Sequence, residues 1–235
     1  MSEEKINSLN ELLNLFSFKE KSEVPEQKEE NSKNILVFKT SLLDSLGKFQ
    51  GILTGEDCQL YLQEILSPEN LLWIPRHIAE KSPEYKQIIP YCVITCANKT
   101  FSYRRNKKGN ESRLHNMKSI GVGGHIEESD LDNVNDLYNS AMWREIDEEI
   151  ALNKGLVKSN KIIGIINDDS DDVGKVHFGI VHSIKMKTID CMGLLENKLS
   201  NTGWEFTGYL KNDIDQWENW SVFVINELMS ELKSK

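Results

Sequence analysis

One short run in this chain has the residue types and spacing for phosphate chemistry: Arg144-Glu145-Ile146-Asp147-Glu148-Glu149. On a helix, Glu145, Glu148 and Glu149 stand at i, i+3 and i+4 and share one face. Three like charges there repel one another, and a bound divalent cation removes that cost. Mg²⁺ takes carboxylate oxygens while keeping water and substrate phosphate as further ligands, which suits transfer of a phosphoryl group. Arg144 borders the cluster and is placed to pair with Glu148. Met142, Trp143, Ile146 and Ile150 form an adjacent apolar stripe that can dock on a sheet. A Glu-rich helix face is by itself usually a solvated surface. The turn upstream, Gly121-Val122-Gly123-Gly124-His125, makes the combination more specific, because glycine lets backbone approach a ligand closely.

Together these residues resemble the Nudix hydrolase family. Its box runs Gly, five residues, Glu, seven residues, then Arg-Glu-apolar-any-Glu-Glu-any-Gly-apolar. Arg144 to Leu152 matches the second half except at Ala151, which replaces the closing glycine, so the helix is expected to run on and stop at Gly155. The first half is stretched: Gly124 lies twenty residues before Arg144, about six more than the box allows. Asp136, Glu127 and Glu128 are the candidates for its missing acid. The flanking strings Tyr85 to Tyr91, Ile120 to His125 and Val173 to His177 look like an uncharacterised group of bacterial Nudix proteins.

The resemblance implies an α/β (α+β) fold, an α/β/α sandwich with a mixed sheet, and the box as a loop–helix–loop. It implies Glu148 and Glu149 as metal ligands, Glu145 as ligand or base, the Gly123 carbonyl as a further ligand, and Mg²⁺ or Mn²⁺ as cofactor. The substrate would be a nucleoside diphosphate linked to another group. Glu205, in Trp204-Glu205-Phe206, is the first choice for an added ligand or base from a late strand. Arg104, Arg105 and Arg113 flank the strands leading to the glycine turn and suit bidentate phosphate contacts; Arg76, Lys86 and His177 are weaker candidates. His125 reads as structural, because Mg²⁺ prefers oxygen.

Several elements must position these groups. Ile35 to Phe38 reads as a strand, Glu56 to Leu66 as a helix, and Gln87 to Thr95 as a buried strand that Pro90 pushes toward an edge or an irregular start. Thr100 to Arg105 and Ser119 to Val122 follow as strands, then a helix over about 133–153. Lys161 to Ile166 and Lys175 to Lys185 form a strand pair, joined by the acidic loop Asn167 to Asp172, which reads as a solvated turn. Trp204 to Leu210 is a short strand and Ser221 to Leu232 a closing amphipathic helix. Three parts are expected: a flexible N-terminal tail (1–34), an N-terminal extension packing on the core (35–84) and a hydrolase domain (85–235).

The 235 residues carry a formal net charge of −9. That argues against DNA and other nonspecific nucleic-acid binding, which needs Lys and Arg to neutralise phosphates. It does not exclude a small phosphorylated ligand, because bound metal can reverse the local potential, and the resemblance implies a nucleotide-derived one. No apolar run approaches the ~20 residues of a membrane span, and the polar start does not read as a secretory signal, so a cytoplasmic location with no membrane partner is expected. A homodimer is compatible with the composition. Cys58, Cys92, Cys96 and Cys191 form no CxxC pair and read as buried thiols. A noncatalytic Nudix-fold nucleotide-binding or protein-interaction module is the alternative. An isoprenoid diphosphate isomerase and an RNA 5′-end pyrophosphohydrolase rank lower.

Overall fold

The computed structural model describes residues 33–105, 117–132, 137–192 and 199–233. The expectations for Arg113, for Asp136 and for all of the 1–34 tail but Lys33 and Asn34 lie outside these residues; Asn34 already belongs to the first strand. The described chain runs β1 (Asn34–Lys39), α1 (Thr40–Leu46), β2 (Gly51–Leu53), α2 (Gly55–Ile65), β3 (Leu71–Pro75), α3 (Arg76–Ala79), β4 (Tyr85–Cys96), β5 (Lys99–Arg105), β6 (Lys118–Ser119) and β7 (Gly121–Val122). It continues through α4 (Leu137–Ile150), β8 (Val157–Asn167), β9 (His177–Met186), β10 (Leu199–Phe206) and α5 (Asn219–Lys233).

One mixed sheet organises the fold, in the order β10-β5-β4-β9-β8-β2, with β1 also paired to β3 and β4, β6 to β5 and β7 to β4. The central pair β4–β9 is parallel, from Gln87↔His177 to Thr95↔Lys185; β8 and β9 are antiparallel. Alternation along β4 sends its residues to two layers. Cys92 and Ile94 pack with Met142, Ile146 and Ile150 of α4. Tyr91 and Val93 pack with Val224 and Ile225 of α5. The chain is an α/β/α sandwich, as expected. The segment 35–84 adds β1, β2 and β3 to the same sheet, and its Leu36, Phe38, Leu62 and Ile65 share a core with Tyr138, Phe178 and Ile180.

Three sequence expectations are corrected. Pro90 lies inside the central strand, buried, and not at an edge. Beside it, β1 pairs only as far as Gln87 and β7 begins at Cys92. The Pro90 carbonyl faces the Gly123 backbone in that gap, and a residue's N–H points to the same side as its carbonyl, so the missing donor costs no ladder bond. Second, α4 does not run to Gly155: it ends at Ile150, and Ala151 takes the left-handed conformation, φ +44°, that the box reserves for glycine. Third, β10 ends at Phe206, and 3₁₀ turns carry the chain from Thr207 to Gln216 where a strand had been expected to Leu210.

Candidate active site

The site begins where the sheet ends. Strand β7 pairs with Cys92 and Val93, and the two glycines after it run between β4 and α4. A methyl group on Gly123 would lie 1.7 Å from the Pro90 carbonyl oxygen, and one on Gly124 2.3 Å from Glu145 Oε2. Both distances are far inside van der Waals contact, so only glycine lets this backbone press on the Glu145 carboxylate. Met142, Ile146 and Ile150 of α4 are buried against the sheet, with Trp143 partly buried beside them. That orients the opposite edge of the helix: Glu148 is exposed, and Glu145 and Glu149 are half-buried.

Arg144 holds this edge together. Its Nε and Nη2 donate to the two carboxylate oxygens of Asp130 at 2.8 and 3.0 Å, and Nη2 also donates to the His125 carbonyl at 2.9 Å. Its Nη1 reaches Glu145 Oε1 at 2.8 Å and Glu148 Oε1 at 3.3 Å. Asp130 in turn accepts from the Glu127 backbone N–H at 2.9 Å, which closes the short 3₁₀ turn over Glu128–Asp132. Burial raises the Glu145 pKa above the usual carboxylate range, against the opposing pull of Arg144 and with the help of Glu148 and Glu127. Glu149 lies deeper: its Oε2 is shielded from solvent, and its charge adds to the burial that pushes the Cys92 thiol up.

The chain is 35% identical over 153 residues to Protein YmaB of Bacillus subtilis (strain 168), a match covering 64% of this chain and 74% of that protein. It superposes on the crystal structure of Tm1382, named as a candidate Nudix hydrolase, with a TM-score of 0.65 at 26% identity, covering 84% of this chain and 98% of that one. The chain belongs to the Nudix hydrolase family. A scan against family profiles finds no match, in keeping with a box that departs from the usual spacing.

Asp130 pairs with the Arg144 that opens the second half of the box. Of the three acids expected, Glu127 is paired with Lys33 at 2.8 Å and Glu128 accepts from Asn34 at 2.7 Å, and Asp136 lies outside the described residues. Five residues separate Gly124 from Asp130. The first spacing of the box is therefore intact with Asp for Glu, and the extra residues follow the acid instead of preceding it. That signal was in the sequence and is missed by counting back from Arg144.

The other predicted residues are distributed unevenly. Glu205 accepts from Ser102 at 2.8 Å and pairs with Lys118 at 2.9 Å. In register it stands beside Thr100, while its neighbour Trp204 packs with Phe101 toward α4, so Glu205 takes the sheet face turned away from that helix. Arg104 shares that face and donates to Gln216 at 2.6 Å; Arg105 ends β5, paired with Leu199. Lys86 is fully buried, bonded to Asp169 at 2.7 Å and to the Gly174 carbonyl at 2.8 Å, which makes it structural. The loop Asn167–Asp172 is not a plain solvated turn, because Asn167 and Asp168 are buried.

The donor set of Glu145, Glu148 and Glu149 with the Gly123 carbonyl fits a hard divalent cation: all are oxygens, and the glycine turn leaves the carboxylate side free of side-chain bulk. Among the described residues no three His, Cys, Asp or Glu side chains already converge on a metal position. Arg144 Nη1 stands between Glu145 and Glu148.

Proposed function

We propose that this Nudix protein is a metal-dependent pyrophosphohydrolase that cleaves the diphosphate linkage of a nucleoside diphosphate joined to another group. The observation that carries the proposal is the Glu145 carboxylate pressed against Gly124, on the same helix edge as Glu148 and Glu149. Glu145, Glu148, Glu149 and the Gly123 carbonyl would hold Mg²⁺ or Mn²⁺, which neutralises diphosphate oxygens and lowers the pKa of a water.

The chain's own residues do the rest. Glu145, with its raised pKa, is suited to take the proton of the attacking water on a carboxylate oxygen. Glu205 lies on the sheet face turned away from α4, bonded to Lys118 and Ser102, so Glu145 is the better base. Asp130 engages two nitrogens of Arg144 and limits how far that guanidinium can neutralise Glu145 and Glu148. Arg105 and Arg113 would serve the terminal phosphates; Arg104 lies on the sheet face turned away from α4, bonded to Gln216. Four cysteines that stay as free thiols suit a cytoplasmic setting.

A panel of nucleoside diphosphate conjugates with Mg²⁺ or Mn²⁺ tests the proposal through product analysis. Hydrolysis by wild type and its loss in Glu149→Gln is the expected result; full activity in Glu149→Gln sinks the metal assignment. The contacts of Arg144 with Glu145 and Glu148 favour one rival, a Nudix-fold module that binds a nucleotide without turnover. Tight binding with no hydrolysis in wild type would establish it.

A further inference from the structure

Behind the glycine turn, on the side of the sheet away from α4, lies a buried carboxylate that the proposed chemistry does not use. Strands β4 and β5 pair at their shared turn, Thr95↔Thr100 and Cys96↔Lys99, and then part. The segment Lys118–Val122 fills the fork, first as β6 on β5 and then as β7 on β4. Ile120 is the crossing residue and belongs to neither strand. Backbone groups at such a crossing are short of ladder partners and need others. Side chains supply them here. Ser221 Oγ accepts from the Ile120 N–H at 3.0 Å, and Ser119 Oγ accepts from the Gly121 N–H at 3.1 Å. The Tyr103 hydroxyl donates to the Gly121 carbonyl at 2.7 Å.

Glu218 sets the direction of this hydroxyl chain. It is 4% exposed and stands just before α5, where its backbone N–H donates to the Lys118 carbonyl at 3.0 Å. Its Oε1 lies 2.6 Å from Ser119 Oγ and 3.1 Å from the Tyr91 hydroxyl. A carboxylate only accepts, so both hydroxyls give it their protons. The Ser119 oxygen then turns a lone pair to the Gly121 N–H. The Tyr91 oxygen accepts from Ser221, 2.8 Å away, whose own lone pair meets the Ile120 N–H. Tyr91 carries the effect forward. Its ring fills the place of a Gly121 side chain, 1.9 Å from where a methyl carbon would stand. The carbonyl of its neighbour Pro90 is what the Gly123 backbone presses on, and Gly124, the next residue, rests on Glu145.

We propose that Glu218 is a positioning residue. From the opposite side of the sheet it orients Ser119, Tyr91 and Ser221, and through them fixes the path of β7 that sets Gly123 and Gly124 against the Glu145 carboxylate. This rests on the function proposed above only for the metal that the turn would help to hold.

The test separates placement from stability. Glu218→Leu removes the acceptor, Glu218→Gln keeps an accepting oxygen, and Tyr91→Phe keeps the ring but removes one donor. Val224→Ala, in the same core layer as Tyr91, lowers stability without entering the hydroxyl chain. Three readings are taken on each: glycine amide resonances by NMR, Mn²⁺ affinity from the free-ion paramagnetic resonance signal, and thermal melts. In Glu218→Leu the resonances of Gly121, Gly123 and Gly124 should move while those of Gly55 and Gly155 stay. Its Mn²⁺ affinity should fall by roughly tenfold or more, the usual cost of losing support behind a metal site. Tyr91→Phe should do the same to a smaller extent, Glu218→Gln should restore most of the loss, and Val224→Ala should change only the melt. Unmoved glycine resonances in folded Glu218→Leu, an equal response in Val224→Ala, or a glutamine variant as impaired as the leucine overturns the proposal. So does unchanged Mn²⁺ affinity in Glu218→Leu when wild type binds the ion. If Glu218→Leu does not fold, Tyr91→Phe decides by the same readings. A wild type that binds no Mn²⁺ removes the metal assignment of the proposed function, and the glycine resonances then decide on Glu218. A wild type that binds Mn²⁺ but cleaves no nucleotide conjugate removes the proposed activity and leaves Glu218 to be judged on resonances and affinity.

Discussion

Two acidic regions of this protein look alike in sequence and differ in what surrounds them. The first is the edge of α4 with Glu145, Glu148 and Glu149. The second is the end of β8 with Asp168 and Asp169. At the second, every carboxylate is supplied with dedicated donors. Asp168 accepts from Gln50, Asn219 and both the backbone and hydroxyl of Ser170. Asp169 pairs with Lys48 at 2.9 Å and with the buried Lys86 at 2.7 Å. At the first, Glu145 and Glu148 share a single nitrogen of Arg144, and that guanidinium is mostly spent on Asp130. A satisfied acidic cluster braces a hairpin. The carboxylate edge instead lies beside a backbone cradle that excludes side chains.

The largest effect that separates the two is on turnover. Glu149→Gln should lower kcat by several kcal/mol of lost transition-state stabilisation, on the order of a thousandfold, with the melting temperature nearly unchanged. Asp169→Asn should do the opposite. It leaves Lys86 buried with its charge uncompensated on one side, at a cost of about 3 kcal/mol, read as a lower urea midpoint with activity per folded molecule retained. The pH dependence has a definite sign. Asp168 and Asp169 are held below the usual carboxylate range: their hydrogen bonds to Ser170, Gln50 and Asn219, and to Lys48 and Lys86, outweigh the burial that pushes both upward. Their stabilisation is therefore present above the unfolded value of about 3.9 and is lost as pH falls through the depressed values. Wild type should lose stability steeply below pH 4, and Asp169→Asn less steeply. Parallel curves would remove Asp169 from that role.

Asp130→Asn probes the link that makes the first region different. Without the Asp130 charge, Arg144 is free to bind Glu145 and Glu148 more closely, so the apparent Mn²⁺ affinity should fall by roughly 10- to 100-fold. Gly124→Ala asks the same question from the backbone side. Its added methyl meets the end of the flexible Glu145 side chain, so kcat should fall while the fold survives. Gly123→Ala instead meets a backbone carbonyl and should lower stability. If both alanine variants behave alike, the cradle is not specific to the carboxylate.

Which parts of this were legible follows from the range of each signal. The carboxylate edge depends on residues three and four apart on one helix, and the docking stripe of α4 on the same periodicity, so both were readable locally. The place of Pro90 depends on where β1 ends and β7 begins, more than thirty residues away on either side, and no local rule contains that. The dedicated donors of Asp168 and Asp169 come from Lys48, Gln50, Lys86 and Asn219, distant in sequence, which is why the loop read as solvated. Asp130 was readable in principle, because Gly124 fixes its position by count. Counting back from Arg144 lands on Asp136 instead.

The smallest expected effect lies at the end of the carboxylate helix. Ala151 sits at φ +44°, where an L side chain crowds the following carbonyl at a cost of roughly 1–2 kcal/mol. Glycine has no such crowding but adds freedom to the unfolded chain, which takes back part of the gain. Ala151→Gly should therefore stabilise the fold by about 0.5–1 kcal/mol, a rise in melting temperature of about 1–4 °C for a domain of this size, with the metal affinity of α4 unchanged. An equal change at the Asp168–Asp169 hairpin is not expected, since no residue there has positive φ. A lower melting temperature in Ala151→Gly would mean that the helix continues past Ile150, with Ala151 in the right-handed conformation that favours alanine over glycine. The box would then be closed by something other than a left-handed turn.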